Sequence, residues 1–184
     1  AGEIRDHTAI ELAQLDAAPG TSVEERMPTL LDVLDGFGKR IQFNLEIKVG
    51  HRDRPYEGIE RIVLEAVESR GLLTRMLFSS FDDGVLRRLR ALSAQARLAL
   101  LVSRRSAFRI FDRAAAISAE AINPAVRLVD AKLVGKAHAR GLAVYPYTED
   151  DPEGMARLLD AGVDGIFTNH PARLRALLDE REGR

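Results

Sequence analysis

Ile41-Gln42-Phe43-Asn44-Leu45-Glu46-Ile47-Lys48 alternates apolar and polar residues without a break. A strand has period two, so Ile41, Phe43, Leu45 and Ile47 share one face. Gln42, Asn44, Glu46 and Lys48 share the other. Parallel strands covered on both sides ordinarily read as continuous apolar runs. A column of four polar residues is costly there unless its face is wet, paired or functional. In a barrel the column would line the lumen, with Glu46 and Lys48 last, at the C-terminal mouth where barrel active sites lie. At a sheet edge it would be a solvated face, or Glu46 and Lys48 would pair with each other. The pattern alone leaves both readings open.

Working outward, five further short apolar runs follow, at residues 75–80, 96–102, 119–123, 142–148 and 163–168. Counted from residue 41, their starts are spaced 34, 21, 23, 23 and 21 residues apart. Amphipathic stretches of helical period lie between them, such as Val85, Leu86, Leu89 and Leu92, or Met155, Leu158 and Leu159. This alternation is the βαβ signature and predicts a parallel sheet. Helix punctuation agrees. Ser80 with Asp83 reads as a cap before one helix, and Asp151-Pro152-Glu153 opens another. Asn169-His170-Pro171 repeats that arrangement, and Gly71, Gly141 and Gly162 fall at helix stops. No linker interrupts the series, so residues 1–184 read as a single domain.

Six such units suit an open doubly wound sheet or most of a (β/α)8 barrel. A complete barrel takes about 250 residues, about 66 more than the 184 present. Two missing units of 21 to 34 residues would account for about 42 to 68, so the arithmetic fits a TIM-type barrel without its first two strands. No Gly-rich phosphate loop follows the first strand to support a nucleotide fold.

Composition narrows the function classes. The chain carries 27 Lys plus Arg against 28 Asp plus Glu, a net charge of −1, which argues against nucleic-acid binding. No apolar run approaches the roughly 18 residues of a transmembrane segment. The absence of Cys excludes disulfides and thiolate metal sites and assigns no compartment. Any targeting peptide would precede Ala1. Only four of the basic residues are Lys, so Lys48 is a selective choice at the mouth. A carboxylate beside an ammonium suits an anionic substrate bridged by a hard cation, Mg²⁺ or Ca²⁺. One carboxylate does not make a metal site, and further oxygens must come from elsewhere.

At this point the motifs resemble a family. Asn44-Leu45-Glu46-Ile47-Lys48 resembles the "N-I-E-I-K" strand of glycerophosphodiester phosphodiesterases. Residues 6–17, from Asp6-His7-Thr8 to Leu15-Asp16-Ala17, resemble its "D-L-T-L-A-E-L-R-x-L-D-A" stretch. Met27-Pro28-Thr29-Leu30 resembles "I-P-T-L", and Ser79-Ser80-Phe81-Asp82 resembles "S-S-F-D". Tyr147-Thr148-Glu149-Asp150-Asp151-Pro152 through Gly162-Val163-Asp164-Gly165-Ile166-Phe167-Thr168-Asn169 resembles "W-T-V-N-D-P … L-G-V-D-G-I-I-T-D". Five patterns in order at matching intervals are specific. The resemblance implies a (β/α)8 barrel that hydrolyses glycerophosphodiesters to glycerol 3-phosphate and an alcohol with a divalent cation. It implies Glu46 as a metal ligand, Lys48 facing the phosphate, and Tyr147 in place of a substrate-packing Trp.

The departures are equally informative. The family's "H-R-G" opening, "P-E-N-T" turn, "E-x-D" metal pair and "H-D" all precede the position equivalent to Ala1. No catalytic residue is therefore assigned within this chain, and its activity alone is expected to be low. A noncatalytic truncated barrel serving binding or assembly is the alternative. His7 reads as a surface residue and His138 as a solvated helix residue, while His51 and His170 lie where loops could reach substrate. Ser79-Ser80 lacks a G-x-S-x-G elbow. Arg87-Arg88 and Arg104-Arg105 read as solvated, with Arg104 near a strand end. Pro146 inside a central strand removes a ladder donor and predicts a bulge. Without two strands, both sheet edges would need cover from another chain, an absent segment or residues 1–25.

Overall fold

Five parallel strands lie side by side in chain order in the computed structural model, which describes residues 4–20, 22, 25–50 and 55–183. They are β1 (Phe43–Glu46), β2 (Met76–Ser80), β3 (Arg97–Val102), β4 (Ala121–Pro124) and β5 (Ala143–Val144). Helices α1 (Ala9–Ala13) and α2 (Leu30–Phe37) precede them. The crossovers carry α3 (Ile59–Glu68), α4 (Asp83–Leu92), α5 (Ile110–Ala116) and α6 (Ala131–His138), and α7 (Pro152–Asp160) and α8 (Pro171–Glu182) follow. The order has no reversal, which removes the doubly wound alternative and its switch point.

The sixth expected strand, at 163–168, is not a strand. These residues run extended beside β5, with Asp164 N donating to Val144 O at 3.0 Å and Phe167 N to Pro146 O at 2.9 Å. Three residues of this segment advance where two advance on the partner, so the extra residue lies in the 163–168 segment and not in the Pro146 strand where a bulge was expected. Proline has no N–H to return a rung, so β5 stops after Val144. The first strand is also shorter than the alternating run, ending its ladder at Glu46.

Side-chain size sets the shape of the sheet. Glu46, Ser79, Ala99, Ala121 and Ala143 form one continuous row across all five strands. Four of the five are Ser or Ala. On the opposite face Phe78, Leu98, Leu100, Ile122 and Val144 are buried against the helices with Val67, Leu86, Leu89 and Leu158. The small residues of this row let the sheet curl at their level, while Leu77 and Leu101, two residues away on the same face, are larger. The curl is measurable: Asn123 Nδ2 on β4 donates to Asn44 Oδ1 on β1 at 3.2 Å. Three strand spacings on a flat sheet would separate those positions by about 14 Å. The result is an arc of a (β/α)8-type barrel with its helices outside.

Local capping differs from expectation in two places. Asp82, not Ser80, caps α4, its carboxylate accepting from Val85 N at 2.9 Å. Ser80 Oγ instead donates to Ile47 O at 2.7 Å and ties the end of β1 to β2. His170 occupies the cap position of α8 without a side-chain bond. Gly71, Gly141 and Gly162 do sit at helix stops with positive φ, where a β-carbon would be strained.

The arc does not close. Among the described residues no backbone hydrogen bond joins β1 to the 163–168 segment. A cavity of about 300 Å³ lies between them, lined by Gln42, Phe43 and Asn44 on one side and Gly165, Ile166 and Phe167 on the other. Neither α1 nor α8 contains a buried residue. No helix among the described residues is long and apolar enough to cross a membrane.

If the size difference between the two faces drives the curl, each face should resist substitution for a different reason. Ala99→Leu should overpack the concave row and cost about 1–3 kcal/mol. Phe78→Ala should leave a cavity on the convex side and cost about 3–5 kcal/mol. Urea denaturation at unchanged m-value measures both. A neutral Ala99→Leu would contradict the small-inside account.

Candidate active site

Parallel strands deliver their last residues to one end of the sheet, and β1 brings Glu46 there on the concave face. Ile47 is buried, with its N–H donating to Ser79 O at 2.8 Å, so the chain is still held when Lys48 emerges. The Glu46 side chain is 31% exposed and that of Lys48 76%, with Nζ and Oε2 4.0 Å apart. That distance is the outer limit of an ion pair. Lys48 is therefore free to meet an anion, and the internal pairing considered from sequence is weak.

Tyr147 enters from the far side of the arc. Pro146 ends the regular ladder, but Tyr147 N still donates to Pro124 O at 3.0 Å, and Tyr147 O accepts from Val126 N at 2.9 Å. The phenol then reaches across β4 to donate to Val102 O at 3.2 Å. Its ring meets Phe81, from the loop after β2, edge to face at 5.7 Å. Burial pushes the Tyr147 phenol above its ordinary value, and the Glu46 charge pushes in the same direction.

Sequence reasoning did not single out Phe81 as a site residue, nor the polar group beneath the mouth. There, Asn44 Nδ2 donates to Ser79 Oγ at 2.9 Å while its Oδ1 receives Asn123. The alternation at 41–48 pointed Asn44 inward, but nothing local to Asn123 signalled its partner.

The described histidines do not converge. His138 ends α6, away from the mouth, with Nε2 2.9 Å from Asp164 Oδ2, so it is paired rather than simply solvated. His170 is exposed, and its N–H donates to Thr168 Oγ1. His7 lies exposed before α1. His51 falls outside the described residues. Arg104 and Arg105 are exposed on a single turn after β3. Among the described residues no group of three or more His, Cys, Asp or Glu could hold a metal ion.

The profile of the "Glycerophosphoryl diester phosphodiesterase family" matches residues 1–173. The chain belongs to this family. It is 30% identical over 177 residues to a glycerophosphodiester phosphodiesterase of Caldanaerobacter subterraneus, covering 94% of this chain and 72% of that protein. A Bacillus subtilis glycerophosphodiester phosphodiesterase is 28% identical over 92% of this chain and 64% of its own length. Among solved structures, an Oleispira antarctica phosphodiesterase in complex with the product sn-glycerol-3-phosphate superposes with a TM-score of 0.78. That match has 26% identity and covers 97% of this chain and 73% of the other.

Within the glycerophosphodiester phosphodiesterase pattern, one pair of positions has exchanged chemistry. Where "W-T-V-N" carries Asn, this chain has Asp150. Where "I-T-D" carries Asp, it has Asn169. The two touch: Asp150 accepts from Asn169 Nδ2 at 2.8 Å, Asn169 N at 2.7 Å and Thr168 Oγ1 at 2.9 Å. The Asn169 side chain above all holds the Asp150 carboxyl below its usual range. These bonds link the chain after β5 to the end of the 163–168 segment.

The Tyr147 phenol offers a check on this geometry. Glu46→Gln should lower its pKa, yet leave it above the ordinary phenol value because burial is the larger cause. The stability linked to this raised group is full below the ordinary value and lost as pH rises through the shifted one. Titration of ¹³C-labelled tyrosine by NMR reads the change. An unmoved pKa would separate Glu46 from Tyr147.

Proposed function

We propose that this chain is the mouth-bearing part of a barrel that hydrolyses glycerophosphodiesters to glycerol 3-phosphate and an alcohol. The observation that carries the reading is that β1 brings Glu46 and Lys48 to the C-terminal end of a curled parallel sheet, the end at which Tyr147 emerges after β5. These are the positions that the motif resemblance points to, in a chain that belongs to the family. The substrate is a small anionic molecule. The structure of the Oleispira antarctica relative with sn-glycerol-3-phosphate supports that class of ligand.

In this reading Lys48 Nζ faces the phosphate and neutralises charge that grows on its oxygens. The Tyr147 ring, with its hydroxyl tied to Val102 O and its flank against Phe81, forms a fixed apolar wall for the glycerol carbons. Glu46 offers one hard oxygen donor to a divalent cation, Mg²⁺ or Ca²⁺. The family generally works with such a cation. The described residues do not complete a cation site by themselves, and no step is derived through the metal.

The remaining oxygens and the acid and base that move the proton are assigned to a segment outside residues 1–184. We place that segment ahead of Ala1, supplying the first two strands of one barrel domain and filling the cavity beside β1. A second copy of the chain covering the same edges is the competing arrangement.

A coupled glycerol 3-phosphate assay tests this. The 184-residue chain should release little product from glycerophosphocholine or glycerophosphoethanolamine. Joined to its upstream coding segment, it should turn over with Mg²⁺ or Ca²⁺ and stop on chelation. In that active form Lys48→Ala should lower kcat/KM by about 10²–10³-fold. Inactivity of both forms would favour the noncatalytic barrel.

A further inference from the structure

β1 is a short strand on the open side of the arc, laddered only to β2. Among the described residues, its side-chain hydrogen bond to the far side of the lumen is made by Asn44, two residues before Glu46 and on the same face. That separation is about 6.6 Å along the strand. Asn44 spends both ends of its amide there, one on Ser79 Oγ and one on Asn123 Nδ2. Asn123 is wholly buried beside Leu101, and its Oδ1 has no partner among the described residues. An orphaned buried carbonyl is unfavourable, and a Leu of similar shape would suit that position better for stability alone. The amide at 123 is therefore explained by the direction it imposes on β1 and not by the stability it adds.

We propose that Asn44 and Asn123 are positioning residues, whose hydrogen bond across the lumen sets where β1 presents Glu46 and Lys48. The inference rests on the reading of Glu46 and Lys48 as site residues. The bond holds the free edge of the sheet inward, and Ser79 keeps the Asn44 amide in the orientation that accepts from Asn123. Neither asparagine touches substrate.

The chain has no native Cys, so two spin labels can be placed cleanly, at Lys48→Cys on the mouth and Arg127→Cys after β4. Their distance by pulsed electron paramagnetic resonance should be narrowly distributed. Asn123→Leu should lengthen it by about one strand spacing, roughly 5 Å, and broaden it, while the urea midpoint stays level or rises. Asn44→Ala should lengthen and broaden it likewise but lower the midpoint, because the buried Asn123 amide is left without a partner, and the double variant should add nothing to the change in distance. Val134→Ala, which loosens α6 without touching the lumen, should lower the midpoint and leave the distance alone. An unchanged distance in both asparagine variants overturns the inference, as does an equal change in Val134→Ala. Mn²⁺ binding to the complete barrel is a separate arm. Affinity unaltered by Glu46→Gln would sink the cation reading of Glu46 and leave the distance result standing.

Discussion

The hydrogen bond from Asn123 to Asn44 joins two strands that have two others between them, and no flat sheet can make it. Everything at the mouth follows from the curl that this contact records. Curling is permitted by the Ser79, Ala99, Ala121 and Ala143 row, whose small side chains let the inner face contract. It is driven from outside by Phe78, Leu98, Leu100 and Ile122, which bury large apolar surfaces against the helices. With the arc bent this far, an acid on the first strand and a tyrosine beyond the fifth face a common space.

The mouth also depends on an interruption. Pro146 has no N–H to give the 163–168 segment, while Tyr145 and Tyr147 keep their backbone bonds to β4 and Tyr147 sends its side chain across it. Its hydroxyl finds Val102 O and its ring finds Phe81, three different strand exits meeting at one side chain. A tyrosine in place of the family's tryptophan keeps an apolar ring at this position and gains an anchored phenol. Asp150 and Asn169 make a second such link between neighbouring chain segments.

Legibility in the sequence followed the range of the interaction. The alternation at 41–48 sent Asn44 and Glu46 to one face, and the spacing of apolar runs predicted consecutive parallel strands with helices outside. The missing donor at Pro146 was readable because proline acts on its own backbone, but the extra residue fell in the facing 163–168 segment. Capping was misread at Ser80, since Asp82 competes for the same helix end and Ser80 is drawn to Ile47 O, a partner 33 residues earlier. The run at 163–168 has the composition of a strand, yet its pairing depends on β5, whose ladder proline had already broken. The Phe81–Tyr147 contact and the Asn44–Asn123 bond join residues 66 and 79 positions apart, and no local pattern marks them.

By itself, then, the sequence determined the repeating strand–helix unit, the inward polar column, and, through motifs at matching intervals, Glu46, Lys48 and Tyr147 as candidates. Those properties reside in short stretches, where period, proline geometry and capping chemistry act within a few residues. The tertiary structure alone decided how far the sheet curls, which amide meets which across the lumen, and how many of the six runs are laddered strands. Those outcomes depend on the packing of side chains from separate strands and helices, and a linear pattern of residues does not contain the distances between them.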